Sequence, residues 1–315
     1  TVQALPKALN KIDSYVRQSY QDKKGNIWIA TRRAGLYKLS WEGILSTFNT
    51  QNGLGSNYVM SIDEGADGKI LVGTKNGVSI IQDDKIVRNI NMEHGLPTTF
   101  VFDVLPKGDA LWICTDLGLC KFEGDSMLVF NTEDGLPEDV YFDIVEDRIG
   151  NFWLSTNGGI LQVSQKQLDD YALGKSKSIS SRIYGKSDGM KSEQCVGATK
   201  MLFDTQGNVW VPTVAGMASI MPEKLQNTFD IPAPYIEKIV TDQGTFFPNN
   251  GVIEFQSEDA KRISIYFAAF DFVAPSKTRF KYQLAPFDEQ WRVAEKNIRE
   301  VNYTNLPPNK YTFRV

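Results

Sequence analysis

A short block of residues returns five times along this chain, and its spacing leaves few folds open. The first copy runs from Gly25 through Trp28 to Thr31 and is followed by Gly35-Leu36. Its counterparts are Gly68 to Thr74 with Gly77-Val78, Leu111 to Thr115 with Gly118-Leu119, Gly150 to Thr156 with Gly159-Ile160, and Gly207 to Thr213 with Gly216-Met217. The threonines stand 43, 41, 41 and 57 residues apart. A second marker, Gly53-Leu54, Gly95-Leu96-Pro97, Gly135-Leu136-Pro137 and Gly189-Met190, steps by 42, 40 and 54. The two long steps coincide, so one insertion near Lys166 to Arg182 accounts for both.

Such a period fits a helical array or a propeller blade. Each unit is four short stretches rich in β-branched and aromatic residues, parted by Gly-containing turns. In the second unit they are roughly Tyr58–Asp63, Lys69–Gly73, Val78–Gln82 and Lys85–Ile90. No window from Arg17 to Gln162 sustains a helical period, so the repeat predicts about five four-stranded β-propeller blades. Asp22, Asp147 and Asp204, each three residues before a glycine, suit a hairpin whose carboxylate caps backbone N–H groups. Trp28, Leu71, Trp112, Trp153 and Trp210 share one place and are expected to pack between blades, in preference to stacking on sugar. The Asp/Asn turns lack the dense acidic spacing of a calcium loop, so no metal or other cofactor is expected.

Composition narrows the chemistry. The 34 basic and 38 acidic residues argue against a nucleic-acid surface. A single histidine, His94, excludes multi-histidine zinc sites. Cys114, Cys120 and Cys195 read as buried thiols, a Cys114–Cys120 bridge being the lesser alternative. No apolar run is long enough to span a membrane. The first residue is Thr1, which reads as a piece of something larger, with residues 1–14 a tail.

From Pro232 the repeat stops and the strands lengthen: Tyr235–Val240, Val252–Gln256, Arg262–Phe272, Thr278–Leu284, Arg299–Tyr303 and a last one broken off in Lys310–Val315. The expected division is a propeller over 15–231, partial or small, and an immunoglobulin- or fibronectin-like β-sandwich over 232–315.

The repeat, together with the segment NTEDGLPEDVYFDIVED ending at Asp147, resembles the two-component-regulator propeller repeat. Tyr184 to Pro222 looks like the last blade of such propellers, with Trp210-Val211-Pro212-Thr213 where the family has Trp-Phe-Pro-Thr. The segment from Phe280 to Val315 resembles the Y_Y_Y domain, with Tyr282, Tyr303 and Tyr311 in the naming positions and Asn309 where the family usually has glycine. The resemblance implies the periplasmic sensor region of a bacterial hybrid histidine kinase or diguanylate cyclase. It also implies an oligosaccharide or other small ligand, a membrane-linked output domain and a homodimer formed through the sandwich.

The alternative is a propeller enzyme acting on polysaccharide, a lyase or glycosidase. Asp103 and Asp143 fall at matching places in adjacent repeats and could serve acid/base work on glycosides, although lining a solvated channel mouth is the plainer reading. No catalytic residue is therefore assigned. A scaffold without ligand is the third reading. In an up-and-down blade the loop between strands two and three shares a face with the connection to the next blade. Arg32, Arg33, Lys75, Asn76, Asp116 and Asn157 on the first loop, and Asn57, Thr99, Asp139, Glu193 and Gln194 on the second, are the candidate ligand-binding residues. Their side chains offer the directed hydrogen bonds that sugar hydroxyls and carboxylates need.

Overall fold

The computed structural model describes residues 12, 14–225, 233–248, 262–269, 278–295 and 298–315. The chain divides into two compact units, Thr1–Leu225 and Gln226–Val315. In the first unit, consecutive strands pair antiparallel into up-and-down sheets. Blade 1 is Val16–Gln21, Ile27–Thr31, Leu36–Leu39 and Leu45–Phe48. Blade 2 is Val59–Glu64, Ile70–Thr74, Gly77–Gln82 and Lys85–Ile90, within a residue or so of the sequence expectation. Blade 3 is Val101–Lys107, Ala110–Thr115, Leu119–Glu123 and Ser126–Phe130. Blade 4 is Asp143–Glu146, Asn151–Ser155, Ile160–Ser164 and Ser181–Tyr184. The expectation of four strands in every blade needs one correction. Among the described residues the fifth sheet has three, Leu202–Phe203, Val209–Thr213 and Gly216–Ile220. The insertion falls between the last two strands of blade 4 and holds a helix, Gln165–Ala172, whose Leu168 is buried.

The hairpin motif does more than cap. Asp22 Oδ1 accepts from the N–H groups of Lys24 and Asn26, and Oδ2 accepts from the Asn26 side chain and the Trp28 indole at 2.8 Å each. Asp147 holds Ile149, Asn151 and Trp153 in the same pattern, and Asp204 holds Gln206, Asn208 and Trp210. Gly25, Gly150 and Gly207 take φ of 82, 84 and 88°, where a side chain would be strained. With its lone pairs committed to donors, each carboxylate has little left for a cation. Against the upward push of burial, these bonds lower the Asp22 carboxyl, and they bring Asp204 to about 2. In blade 2 the aspartate position is Gly65, and there the tryptophan is replaced by Leu71. Blade 3 keeps Trp112 but has Pro106 at the aspartate position, and its buried indole N–H is without a partner.

The tryptophan column packs between blades as expected. Trp28 is buried with Phe48 of its own blade and Ile62, Ile70 and Val72 of the next. Trp112 lies 4.8 Å from the Phe152 ring of blade 4, and Trp153 packs with Val209 and Val211 of blade 5. The three cysteines are free and buried. In the ladder Cys120 faces Ile113, and Cys114 faces Leu119, so the two thiols are out of register.

The second unit holds a sheet in the order Gly244–Phe246, Tyr235–Thr241, Arg262–Ala268, Glu300–Thr304 and another in the order Arg292–Val293, Lys281–Ala285, Thr312–Arg314. Ile265, Phe267 and Tyr303 of the first share one core with Leu284 and Phe313 of the second, which makes a sandwich. Buried Asp288 accepts from the Leu284 N–H and the Tyr303 hydroxyl, and pairs with Arg292 at 2.6 Å. The expected strand Val252–Gln256 lies outside the described residues.

The unequal indoles give a test of this account. Trp112 and Trp153 are equally buried, but only Trp153 serves an aspartate. Trp153→Phe should therefore destabilise the protein by about 1–3 kcal/mol more than Trp112→Phe. Equilibrium denaturation of the two variants checks this, and equal losses would remove the indole bond from the explanation.

Candidate functional site

The two loop sets do meet on one rim, because each is anchored to the other. Thr31, Thr74, Thr115, Thr156 and Thr213 each donate from Oγ1 to the carbonyl of the glycine that closes the turn, at 2.7–2.9 Å. Backbone N–H groups of Gly35 and Gly77 then donate to the carbonyls of Asn57 and Thr99 in the following connection. The repeated Thr and Gly are thus consumed in shaping the turn, and of the residues between them Arg32, Arg33, Lys75, Asn76 and Asn157 are exposed.

The candidate residues separate into two groups. Asn57, Asp139 and Glu193 occupy matching positions and have local tasks. Each accepts the N–H of the residue seven before it, Thr50, Thr132 and Lys186 respectively, at 2.8–3.0 Å. Asn76 is tied to the Gly55 carbonyl, and one Asp116 carboxylate oxygen is buried without a partner. Asn157, Thr99 and Gln194 are exposed, as is Arg33, whose backbone N–H is held by Ser14.

Arg32 and Lys75 are drawn to a residue the sequence reading passed over, Tyr58. Arg32 Nε donates to the Tyr58 hydroxyl at 2.9 Å, and its guanidinium carbon lies 5.7 Å from the ring centre. Lys75 Nζ sits 4.2 Å above the same ring, and Arg17 from the first strand is 5.8 Å away. Burial pushes the Tyr58 phenol up, but the Arg32 bond and the charges of Arg17, Arg32 and Lys75 prevail and hold it below its ordinary value. Lys75 also caps Phe100 at 5.1 Å, and ring contacts continue from Phe100 to Phe102 and Phe142. A Cβ on Gly197 would meet the Phe142 ring at 2.9 Å, and the Gly197 carbonyl accepts from Arg17. Cations and rings thus form a closed circuit.

Another inner-strand position draws the blades together. Gln18, Ser61, Asp103 and Asp143 stand at one register, opposite Ala30, Gly73, Cys114 and Ser155. Lys200 holds the corresponding place in blade 5. Gln18, Asp103 and Asp143 each accept the next blade's N–H, from Ile62, Ile144 and Met201. Ser61 is too short for this, and its buried hydroxyl has no partner. Lys200 pairs closely with Asp103 and lies 3.7 Å from Asp143. Burial and the neighbouring Asp103 hold the Asp143 carboxyl well above the usual range, against the pull of Lys200. Burial opposes the Lys200 charge, but Asp103 and Asp143 overcome that and raise it. Asp63, also inside, is pushed up to about 6, chiefly by burial. The expectation of a solvated channel mouth is corrected here. Asp103 and Asp143 are 1% and 3% exposed and are engaged with Lys200 and backbone N–H groups, an arrangement that closes them to a glycosidic bond. Among the described residues no cluster of side chains could hold a metal ion.

With fold and site described, comparison with known proteins gives the class. The family profile "Two component regulator propeller" matches residues 10–33 and 135–158, and the profile "Y_Y_Y domain" matches 271–315. The chain therefore carries two-component-regulator propeller repeats followed by a Y_Y_Y domain. It is 22% identical to the histidine kinase P4 of Formosa agariphila, an alignment covering 96% of this chain and 23% of that protein. The solved extracellular domain of a hybrid two component system from B. thetaiotaomicron superposes with a TM-score of 0.75 at 24% identity, covering 95% of this chain and 41% of that one. A virginiamycin B lyase from Staphylococcus aureus shares the propeller fold more distantly, with a TM-score of 0.50 at 13% identity over 82% of each chain. The chain thus spans less than half the length of the kinase and of the two-component ectodomain.

The buried charges make two predictions. Lys200→Met leaves Asp103 without its cation and should cost roughly 2–4 kcal/mol, less than a fully buried pair because Lys200 is partly exposed. Adding Asp103→Asn should recover most of that loss in a double-mutant cycle. Asp63 binds its proton more tightly folded than unfolded, so its contribution is favourable at low pH and declines as pH rises from about 4 to about 6. Asp63→Asn should then stabilise the protein above pH 6 by up to about 2 kcal/mol and change little at pH 4, as measured by denaturation at both pH values.

Proposed function

We propose that this chain is the ligand-sensing part of an extracytoplasmic receptor of the two-component type, whose kinase or cyclase output domain lies outside it. The ligand is an oligosaccharide bound at the propeller rim, where Arg33, Asn157, Thr99 and Gln194 are exposed and Arg32 and Lys75 are held by aromatic residues rather than by carboxylates. One observation carries binding over catalysis: the matched carboxyls Asp103 and Asp143 are spent on Lys200 and backbone N–H groups. Support for the sensor role comes from the propeller and Y_Y_Y matches and from the kinase and two-component relatives.

Titration calorimetry and product analysis on one panel of plant and host oligosaccharides test this. Saturable binding of a panel member with no bond cleavage is the expected result. Cleavage that disappears on replacing a defined residue pair would overturn it in favour of a lyase or hydrolase.

A further inference from the structure

We infer that the cluster of cations around Tyr58 is an anion subsite, built to take the carboxylate or sulfate of a charged oligosaccharide. The inference rests on the sensor reading above and adds to it the chemical class of the ligand.

Several cations of the blades stand against carboxylates: Lys38 against Asp84, Arg88 against Asp125, Lys107 against Glu146, Lys121 against Asp169. Arg17, Arg32 and Lys75 converge on one tyrosine ring, and among the described residues none of the three has a carboxylate partner. The net charge of the chain is −4, so the gathering of cations is not a product of composition. Three like charges around one ring repel one another, and cation–π attraction of about 0.5–1 kcal/mol each offsets only part of that. An anion at the centre turns the repulsion into attraction.

Two further observations point to a ligand. Arg17 Nε is shielded from solvent and has no hydrogen-bond partner, an uncommon state for a guanidinium donor. The Tyr58 phenol is held below its ordinary value, so the field at its oxygen favours negative charge. The chemistry of the cluster also suits a sugar acid. The Arg17 and Arg32 guanidinium groups keep N–H donors beyond those spent on the Gly197 carbonyl and the Tyr58 hydroxyl, and planar guanidinium donors match carboxylate or sulfate. From Lys75 the partly buried rings of Phe100, Phe102 and Phe142 continue in ring-to-ring contact. The corresponding loops of blades 3 to 5 carry Asp116, Glu138, Asp139 and Glu193 beside Lys186 and Lys191.

The test is calorimetric titration of the chain with three size-matched probes: an oligogalacturonate for carboxylate, a chondroitin sulfate oligosaccharide for sulfate, and a neutral xylo-oligosaccharide. The same probes are titrated into Arg32→Ala/Lys75→Ala and into Arg32→Lys. Both positions are exposed, so melting temperature should be unchanged and confirms folding. At least one acidic probe should bind, about tenfold or more weaker to the double variant, and more weakly as salt rises. The better acidic probe then identifies carboxylate or sulfate as the recognised group. Arg32→Lys should also weaken it, since an ammonium cannot reproduce the paired geometry. Neutral-probe binding that neither variant alters, with no acidic probe bound, would overturn the anion subsite and leave the sensor reading standing. Acidic binding indifferent to the variants would place the site elsewhere and overturn it as well. Failure of all three probes would overturn the subsite and count against the oligosaccharide reading.

Discussion

No blade of this propeller can bury its own faces, and that constraint organises the rest of the first unit. A four-stranded sheet has two faces to cover, and here each neighbour supplies the cover. Trp28 reaches into blade 2, Trp112 meets Phe152 of blade 4, and Trp153 lies on Val209 and Val211 of blade 5. Where a tryptophan fills the space, its indole N–H must also be satisfied. The aspartate at the preceding hairpin does this in three blades while holding the hairpin's own amides. Packing between blades and turn geometry within a blade are thus coupled through one carboxylate. Blades 2 and 3 show the coupling by its loss: one gives up both partners, and the other keeps the indole with its N–H unpaired.

The same economy decides which residues remain for recognition. Thr31 and its four counterparts spend their hydroxyls on the turn, while the side-chain oxygens of Asn57, Asp139 and Glu193 accept from neighbouring amides. Inside, Asp103 and Asp143 link consecutive blades and are neutralised in part by Lys200. Residues of the same chemical type are thus structural in one place and free in another. The difference lies in whether a backbone N–H or a lysine stands within reach.

This is also why the fold could be read from the sequence more completely than the site. Five copies of the block that ends in Thr, four of them with Trp, and a second marker in step specify the blades, and in the second blade the strand boundaries to within a residue or so. The turn residues between Thr and Gly could be placed on one rim for the same reason. Tyr58 could not be singled out, because it lies just before a strand, where any half-buried aromatic reads as packing. Its role comes from Arg17, Arg32 and Lys75, which approach from three separate points of the sequence. Lys200 was hidden likewise. Only the structure shows it to be the fifth member of a series that includes Gln18, Asp103 and Asp143, since the insertion in blade 4 and the irregular entry to blade 5 shift the spacing.

The rim and the interior differ most in their electrostatics. Inside, a partly exposed lysine meets two buried carboxyls, and its charge offsets part of the cost of burying them. At the rim, two arginines and a lysine meet aromatic rings, a phenol and a backbone carbonyl, with no carboxylate partner among the described residues. Aromatic faces can hold a cation in position without neutralising it, so its charge remains available to a ligand. The backbone beneath is fixed by the Thr-to-Gly bonds and by the Gly35 and Gly77 amides, and Arg32 is already oriented by the Tyr58 hydroxyl. A ligand entering here would order few groups that are not ordered beforehand, which keeps the entropic cost of binding low. The rigidity that lets neighbouring blades cover one another thus also presents unneutralised charge at a defined place, and this is what selective recognition of a charged sugar requires.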